Sequence, residues 1–301
     1  MRKFLAIVVC KFGRWLGKLV GKGSSMPGKA ALKLCPDILS RVQLPQHIIA
    51  VTGSNGKTST VEMIAAILRA DGKNVVYNEE GSNQIEGVVT LVLDHSTLGG
   101  RMKADVLLIE SDERYAARSF QYFHPTEFVI TNLYRDQLTR NGHPEWVYDA
   151  ILPAIHPDTE LLLNADDPLS SCFALRHDKV RWFGMDAGPL SSREPSGVYR
   201  DGAYCPVCKA PMTYDYYHYN HIGAYRCAKC GHRKPATDYT VTSVDLESGE
   251  VVIDGNVSIH LAFRSIYNVY NILAAYAACR ECGVESATAA GIINNYILKN
   301  G

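Results

Sequence analysis

A doubly wound, mostly parallel α/β sheet carrying a cysteine-rich insertion is the fold class this sequence predicts, and three observations carry it. Short apolar runs at 47–52, 105–109, 127–131, 160–163 and 180–183 recur with helical patterns between them, as buried parallel strands joined by crossover helices do. The first run passes through Gly53-Ser54-Asn55-Gly56-Lys57-Thr58 straight into a helical segment. After about Gly188 the texture changes to Gly, Pro, Tyr and paired cysteines, then to alternating runs suited to antiparallel strands.

The segment from Phe4 to Val20 interleaves Phe4, Ile7, Val8, Phe12, Trp15, Leu16 and Leu19 with Lys3, Lys11, Arg14 and Lys18. That pattern is a basic amphipathic helix, suited either to packing its stripe on the protein or to peripheral contact with a membrane surface. Its apolar stretch from Phe4 to Cys10 is far short of a membrane span and shorter than most signal cores. Gly21 to Gly28 reads as a connector and Ala30 to Leu39 as a short helix ending before the Pro45 turn. Residues 1–44 therefore form an N-terminal helix and connector, and the main domain occupies 45–300.

Within that domain the first strand is followed by a helix over Thr58 to Ala70 and a strand over Asn74 to Tyr77, and the remaining apolar runs extend the sheet. Tyr239 to Val244, Val251 to Ile253 and Val257 to Phe263 read as a small antiparallel β subdomain. Helices over Tyr267 to Cys282 and Glu285 to Leu298 close the domain.

With 301 residues and 47% hydrophobic content, the chain can fill its core without disulfide support. Its 31 basic and 31 acidic residues cancel, so no global field recruits nucleic acid or an anionic membrane, which leaves only a local patch to do so. The nine cysteines are an odd number with four in one short stretch, which fits a reducing cytoplasm better than a secreted disulfide framework.

A strand running into Gly53-x-x-Gly56-Lys57-Thr58 and then into a helix presents bare backbone N–H groups and a positive helix end to phosphate oxygens. In that geometry Lys57 holds the terminal phosphates of ATP and the Thr58 hydroxyl ligates Mg²⁺, with Gly53, Ser54, Asn55, Gly56 and Ser59 completing the nucleotide site. The spacing is shorter than the standard phosphate loop, which places a glycine where this chain has Val51. Magnesium needs a carboxylate from a neighbouring strand end; Glu110, Asp112 and Glu113 follow the third run directly, and Glu110 is the first choice. Lys57 and Glu110 are thus the expected catalytic pair. The cluster from Asn132 to Gln137 and the acids Asp166 and Asp167 end further strands at the same edge, the two aspartates alternatively capping the helix that follows.

Cys205-x₂-Cys208 and Cys227-x₂-Cys230, eighteen residues apart, are two knuckles able to place four thiolates around a structural Zn²⁺ in an insertion over 200–236. Tyr214, Tyr216, Tyr217, Tyr219 and Tyr225 are expected to pack over that site. His218, His221 and His232 are alternative ligands that would break the paired symmetry. Cys279-x-x-Cys282 reads as two small buried residues of a helix.

Thr52 to Thr58, Glu110, Thr131-Asn132 with Asp136, Asn164-Ala165-Asp166-Asp167 and Tyr267-Asn268-x-x-Asn271-x-x-Ala274-Ala275 occur in the order that marks the central domain of the Mur ligase family. The resemblance covers about residues 45 to 300 and implies ATP-dependent amide-bond formation through an acyl phosphate. It implies also that Asn268 lies near the adenine, that Asn132, Asp166 and Asn271 belong to the nucleotide site, and that the family's further C-terminal ligase domain is absent from this chain, which stops at Gly301. The four-cysteine insertion and Ser25-Met26-Pro27-Gly28-Lys29 resemble the branch whose synthetase subunit works with a GatD-like glutaminase to amidate the D-glutamate of lipid II, using glutamine as nitrogen donor. Asp136-Gln137 replaces the Asp-His of many members, and no lysine between Lys103 and Lys179 can supply their carbamoylated lysine, so a second metal site is weakened. Competing readings are another Mur-type ligase, an ATP-binding fragment, and a zinc-ribbon NTPase acting on nucleic acid. Tyrosines with few cations between Tyr214 and Arg233 count against the last.

Overall fold

A computed structural model describes residues 1–19, 25–79, 83–135, 143–196, 200–262 and 264–296. The strands are β1 (His47–Thr52), β2 (Val75–Tyr77), β3 (Val106–Glu110), β4 (Glu127–Ile130), β5 (Glu160–Asn164), β6 (Val180–Met185), β7 (Thr213–Tyr219), β8 (Ile222–Arg226), β9 (Tyr239–Asp245), β10 (Glu250–Ile253) and β11 (Val257–His260). The helices are α1 (Arg2–Leu19), α2 (Met26–Leu34), α3 (Ile38–Arg41), α4 (Lys57–Ala70), α5 (Ile85–Asp94), α6 (Ala116–Ser119), α7 (Pro144–Ile151), α8 (Ile266–Glu281) and α9 (Ser286–Asn294).

Among the described residues, nine strands form one sheet in the order β11-β10-β9-β6-β5-β4-β1-β3-β2. From β2 to β6 every pairing is parallel. The chain steps outward from β1 in opposite directions, to β3 on one side and β4 on the other, so the strand order reverses at β1. The carboxyl end of that strand is where such sheets open a crevice.

The central strands read as continuous apolar runs because both of their faces are covered. Ile49, Val51, Val106, Leu108, Val129 and Leu162 join the core under α4, α8 and α9. Ile48, Ala50, Leu107, Ile109, Phe128 and Leu163 join the core under α1, α2, α5 and α7. Alternate side chains thus enter opposite layers, each fully buried leucine or isoleucine contributing about 1.5–3 kcal/mol.

The antiparallel strands β9, β10 and β11 are present as expected, and a parallel pairing of β9 with β6 makes them a continuation of the main sheet. The helix expected over Ala30 to Leu39 is instead two, α2 and α3. Proline at position 36 forces Cys35 into a non-helical conformation (φ −146°, ψ 87°) and cannot continue the hydrogen-bond ladder. Helix α2 also starts earlier than expected, with Pro27 in its first turn. The hairpin of β7 and β8 went unforeseen: its register shifts twice, which breaks the strict alternation by which strands are recognised. Asp136, Gln137, Phe263 and Leu298, all invoked above, lie outside the described residues.

Candidate functional site: a phosphate loop braced by four elements

The loop leaves β1 at the strand-order reversal and enters α4 through Gly56. Gly53 (φ +138°) turns its α-carbon onto β4, where a Cβ would lie 2.1 Å from Thr131 Oγ1. Gly56 (φ +83°) backs onto α8, where a Cβ would lie 1.9 Å from Asn271 Oδ1. Both positions therefore need glycine for conformation and for space. No side chain caps α4, so its first N–H groups remain available at the mouth, beside the exposed Thr58.

The segment after β4 holds the loop's other side. Asn132 accepts from Ser54 N through its carbonyl (2.9 Å) and from Asn55 N through Oδ1 (3.0 Å), and its Nδ2 donates back to Asn55 O (3.2 Å). Thr131 Oγ1 donates to Asn55 O at 2.9 Å, and Asn55 Nδ2 donates to Tyr134 OH at 2.6 Å. Asn132 is buried and fully engaged by the loop, so it positions the cradle rather than presenting itself to a ligand. Asn271 has the same character: it is buried behind Gly56, and its Nδ2 donates to Asn268 Oδ1 at 3.3 Å, leaving half-buried Asn268 toward the rim.

Lys57 points back across the loop, its Nζ donating to Gly53 O (2.5 Å) and to Glu113 Oε1 (2.8 Å). Glu113, only 3% exposed, is the acid that meets the lysine. Glu110 sits at the end of β3, where its Oε1 accepts from Asn83 Nδ2 at 2.9 Å. Asp112 turns aside to grip Arg114 (3.2 and 3.1 Å). The three acids that the sequence places together thus divide: one on the lysine, one at the strand end, one in an outward ion pair. Two buried polar atoms at this edge, Ser111 Oγ and Asn83 Oδ1, have no hydrogen-bond partner among the described residues. Such orphans are expected where a ligand or its water completes the set. Together with the glycine cradle and the uncapped helix end, they fit a nucleotide with its Mg²⁺, for which Lys57, Thr58 and Glu110 are the candidate donors.

Gly56→Ala is expected to destabilise the chain by about 1–3 kcal/mol and to weaken nucleotide binding at least about tenfold, because alanine must adopt a left-handed conformation and displace Asn271. Thermal unfolding and a nucleotide titration read both; an unchanged melting temperature would show that the loop does not hold this conformation.

Asp166 and Asp167 serve the architecture. Asp166 is fully buried, accepts from Met185 N (2.7 Å) and Tyr270 OH (2.8 Å), and forms an ion pair with Lys234 Nζ at 2.5 Å. Burial alone lowers the Lys234 ammonium's pKa, but the carboxylate against it outweighs that and holds it above its ordinary range. Asp167 accepts from Leu133 N (2.6 Å) and Leu169 N (2.9 Å) and faces His221 at 3.6 Å. The Leu169 contact is the capping role the sequence allowed; the ion pair of Asp166 with a lysine sixty-eight positions away had no local signal.

The four cysteines converge, all sulfurs lying within 4.8 Å of one another. Both knuckles make the same turn: Lys209 N donates to Cys205 O (2.9 Å) and Gly231 N to Cys227 O (3.0 Å). Backbone N–H groups of Cys230 and then Lys229 aim at the Cys227 sulfur and bring its pKa down to about 6, against an opposing effect of burial. A set of four thiol donors with one already disposed to ionise fits a closed structural zinc site. None of the three histidines joins it: His218 is 3.3 Å from Met185 O, His221 faces Asp167, and His232 is 2.9 Å from Pro168 O. A second group, His124, His156 and Asp158, is less suited to a metal, since its imidazoles stack face to face at 3.9 Å and direct their lone pairs in parallel planes.

The tyrosines do not all cover the cysteines. Tyr225 and Tyr214 pack there, and Tyr217 stacks on Tyr214 at 4.2 Å. Tyr216 reaches Met185 O at 3.2 Å, while Tyr219 turns to the nucleotide edge, 4.4 Å from Tyr267 and 6.4 Å from Tyr134. The insertion therefore joins the cysteine cluster to the loop's own brace. Tyr219 and Tyr225 are almost fully buried, so they offer no stacking surface to nucleic acid.

Comparison with known proteins identifies the family and the fold. The profile of the Mur ligase middle domain matches residues 51–194. The chain is 32% identical over 304 residues to the lipid II isoglutaminyl synthase (glutamine-hydrolyzing) subunit MurT of Staphylococcus aureus (strain COL), covering 100% of this chain and 68% of that protein. To the same subunit of Streptococcus pneumoniae (strain ATCC BAA-255 / R6) it is 33% identical, covering 95% of this chain and 64% of that one. Among solved structures it resembles a pseudomurein peptide ligase type C from Methanothermus fervidus (TM-score 0.70, 23% identity, 87% of this chain and 52% of that chain). It also resembles MurF from Acinetobacter baumannii (TM-score 0.60, 17% identity, 90% of this chain and 50% of that chain). The chain thus spans about half the length of these solved ligases, and the likeness to them is one of fold.

Proposed function

We propose that this chain, which belongs to the family of MurT subunits of lipid II isoglutaminyl synthase, carries the ATP site of a peptidoglycan amide ligase that converts the D-glutamate of lipid II to D-isoglutamine. The observation that carries the reading is the loop at 53–58, locked by β4 and α8 with Lys57 held over it, at the reversal point of a Mur ligase fold.

In this reaction the α-carboxylate oxygen attacks the γ-phosphorus of ATP, and the bond to the bridging oxygen breaks to release ADP. Ammonia from a GatD-like glutaminase then attacks the acyl carbon; phosphate departs, a proton leaves the nitrogen, and an amide remains. Lys57, the opening N–H groups of α4 and Thr58 bind and orient the phosphates, offsetting charge as it shifts toward the leaving oxygen. Thr58 and Glu110 would hold Mg²⁺, which would neutralise charge on the triphosphate. Asn268 and Tyr267 border the base end of the nucleotide. The four cysteines would hold a structural Zn²⁺ and carry no step.

Co-expression of a GatD-like glutaminase with this chain, extended to the full length of the MurT relatives, provides the test. The purified pair is expected to convert the lipid II carboxylate to a carboxamide in the presence of ATP and glutamine, read by mass spectrometry. Absence of amidation from that pair overturns the assignment.

A further inference from the structure

Helix α1 resolves the two uses that its sequence allowed by splitting them between its faces. Ala6, Ile7 and Cys10 are fully buried and fasten it against α2 and α5. The cations beside that stripe are tied to the end of α5: Lys11 Nζ donates to Asp94 O, and Arg14 and Lys18 each lie 3.6 Å from the Asp94 carboxylate. The opposite face is apolar and open. At 3.6 residues per turn Phe4, Phe12 and Trp15 share one side with Leu5 and Leu16 on its flank. They are 53, 57, 58, 48 and 43% exposed. Soluble monomers rarely leave so contiguous an aromatic patch uncovered.

Charge indicates the occupant. The first acid in the chain is Asp37; before it stand Arg2, Lys3, Lys11, Arg14, Lys18, Lys22, Lys29 and Lys33. The chain as a whole is neutral, so the remainder carries a net charge of minus eight against plus eight in this segment. One acid, Asp94, meets three of these cations, while Arg2, Lys29 and Lys33 are exposed. No helix among the described residues is long and apolar enough to cross a bilayer. We propose that the open face of α1 docks the protein on an anionic lipid surface, Phe12 and Trp15 entering the headgroup boundary and the segment's net positive charge drawing it to lipid phosphates. This inference stands apart from the ligase reading, because docking needs neither nucleotide nor glutaminase.

Flotation with vesicles of phosphatidylglycerol mixed into phosphatidylcholine, and with phosphatidylcholine alone, tests it without substrate. The chain is expected to float with the anionic vesicles, to bind the neutral ones at least about tenfold more weakly, and to be released by high salt. Phe12→Glu with Trp15→Glu is expected to cut anionic binding at least about tenfold while the melting temperature holds, since both side chains are more than half exposed. Trp146→Ala, at an exposed tryptophan on α7, is expected to change nothing. Equal flotation of wild type and the double glutamate variant overturns the proposal. So does absence of vesicle binding together with a dimer that the same substitutions dissolve, which would make a second copy the occupant.

Discussion

Lys57→Ala is expected to lower ATP affinity by about 10- to 100-fold or more, the worth of a charge-assisted hydrogen bond removed from the terminal phosphates. The geometry adds a second consequence. Glu113, 3% exposed, meets Lys57 at 2.8 Å, so the truncation strands a buried carboxylate. Breaking such a pair costs about 3–5 kcal/mol. A simple loss of binding would then confuse folding with recognition. The double variant Lys57→Ala with Glu113→Gln separates them: removal of the orphaned charge is expected to recover most of the melting temperature, while ATP affinity by calorimetry stays low. Wild-type affinity in the double variant would mean that the lysine serves only to neutralise Glu113.

Cys205→Ser with Cys208→Ser is expected to release one zinc per chain and to unfold the insertion, since structural zinc sites contribute about 10–16 kcal/mol of apparent binding energy. The structure couples that damage to the nucleotide site. Lys234 lies just past the second knuckle and neutralises the fully buried Asp166 (2.5 Å), Gly223 N donates to Asp166 O (2.9 Å), and Tyr219 packs against Tyr267 and Tyr134. When the insertion loosens, Asp166 loses its counter-ion and Tyr134, which receives the Asn55 amide, loses a neighbour. ATP affinity should therefore fall along with zinc content, measured by atomic absorption and titration on one preparation. Zinc loss with unaltered nucleotide binding would show the insertion to be mechanically independent.

Some residues were legible because their signal is local. Gly53, Gly56, Lys57 and Thr58 lie within six positions, and the strand and helix around them follow from apolar runs and helical spacing. The cysteine knuckles carry their own spacing. Acids after β3 were foreseen as a group, yet which of them meets Lys57 depends on how the chain turns after Glu110. Side chains two and three residues past a strand end are directed by that turn and not by their order.

What the sequence determined by itself was the order of buried strands, the loop between β1 and α4, the paired knuckles and a helix with one basic, one apolar character. Periodicity and short-range spacing encode these, because each is settled within a few residues. Only tertiary structure decided that Asn132 and Asn271 brace the loop from β4 and α8, and that Glu113 holds Lys57. It decided also that the insertion leans on Asp166, and that α1 buries a narrow stripe and leaves its aromatic face open. These are contacts between segments tens to hundreds of residues apart, set by which helix covers which side of the sheet, and no local pattern records them.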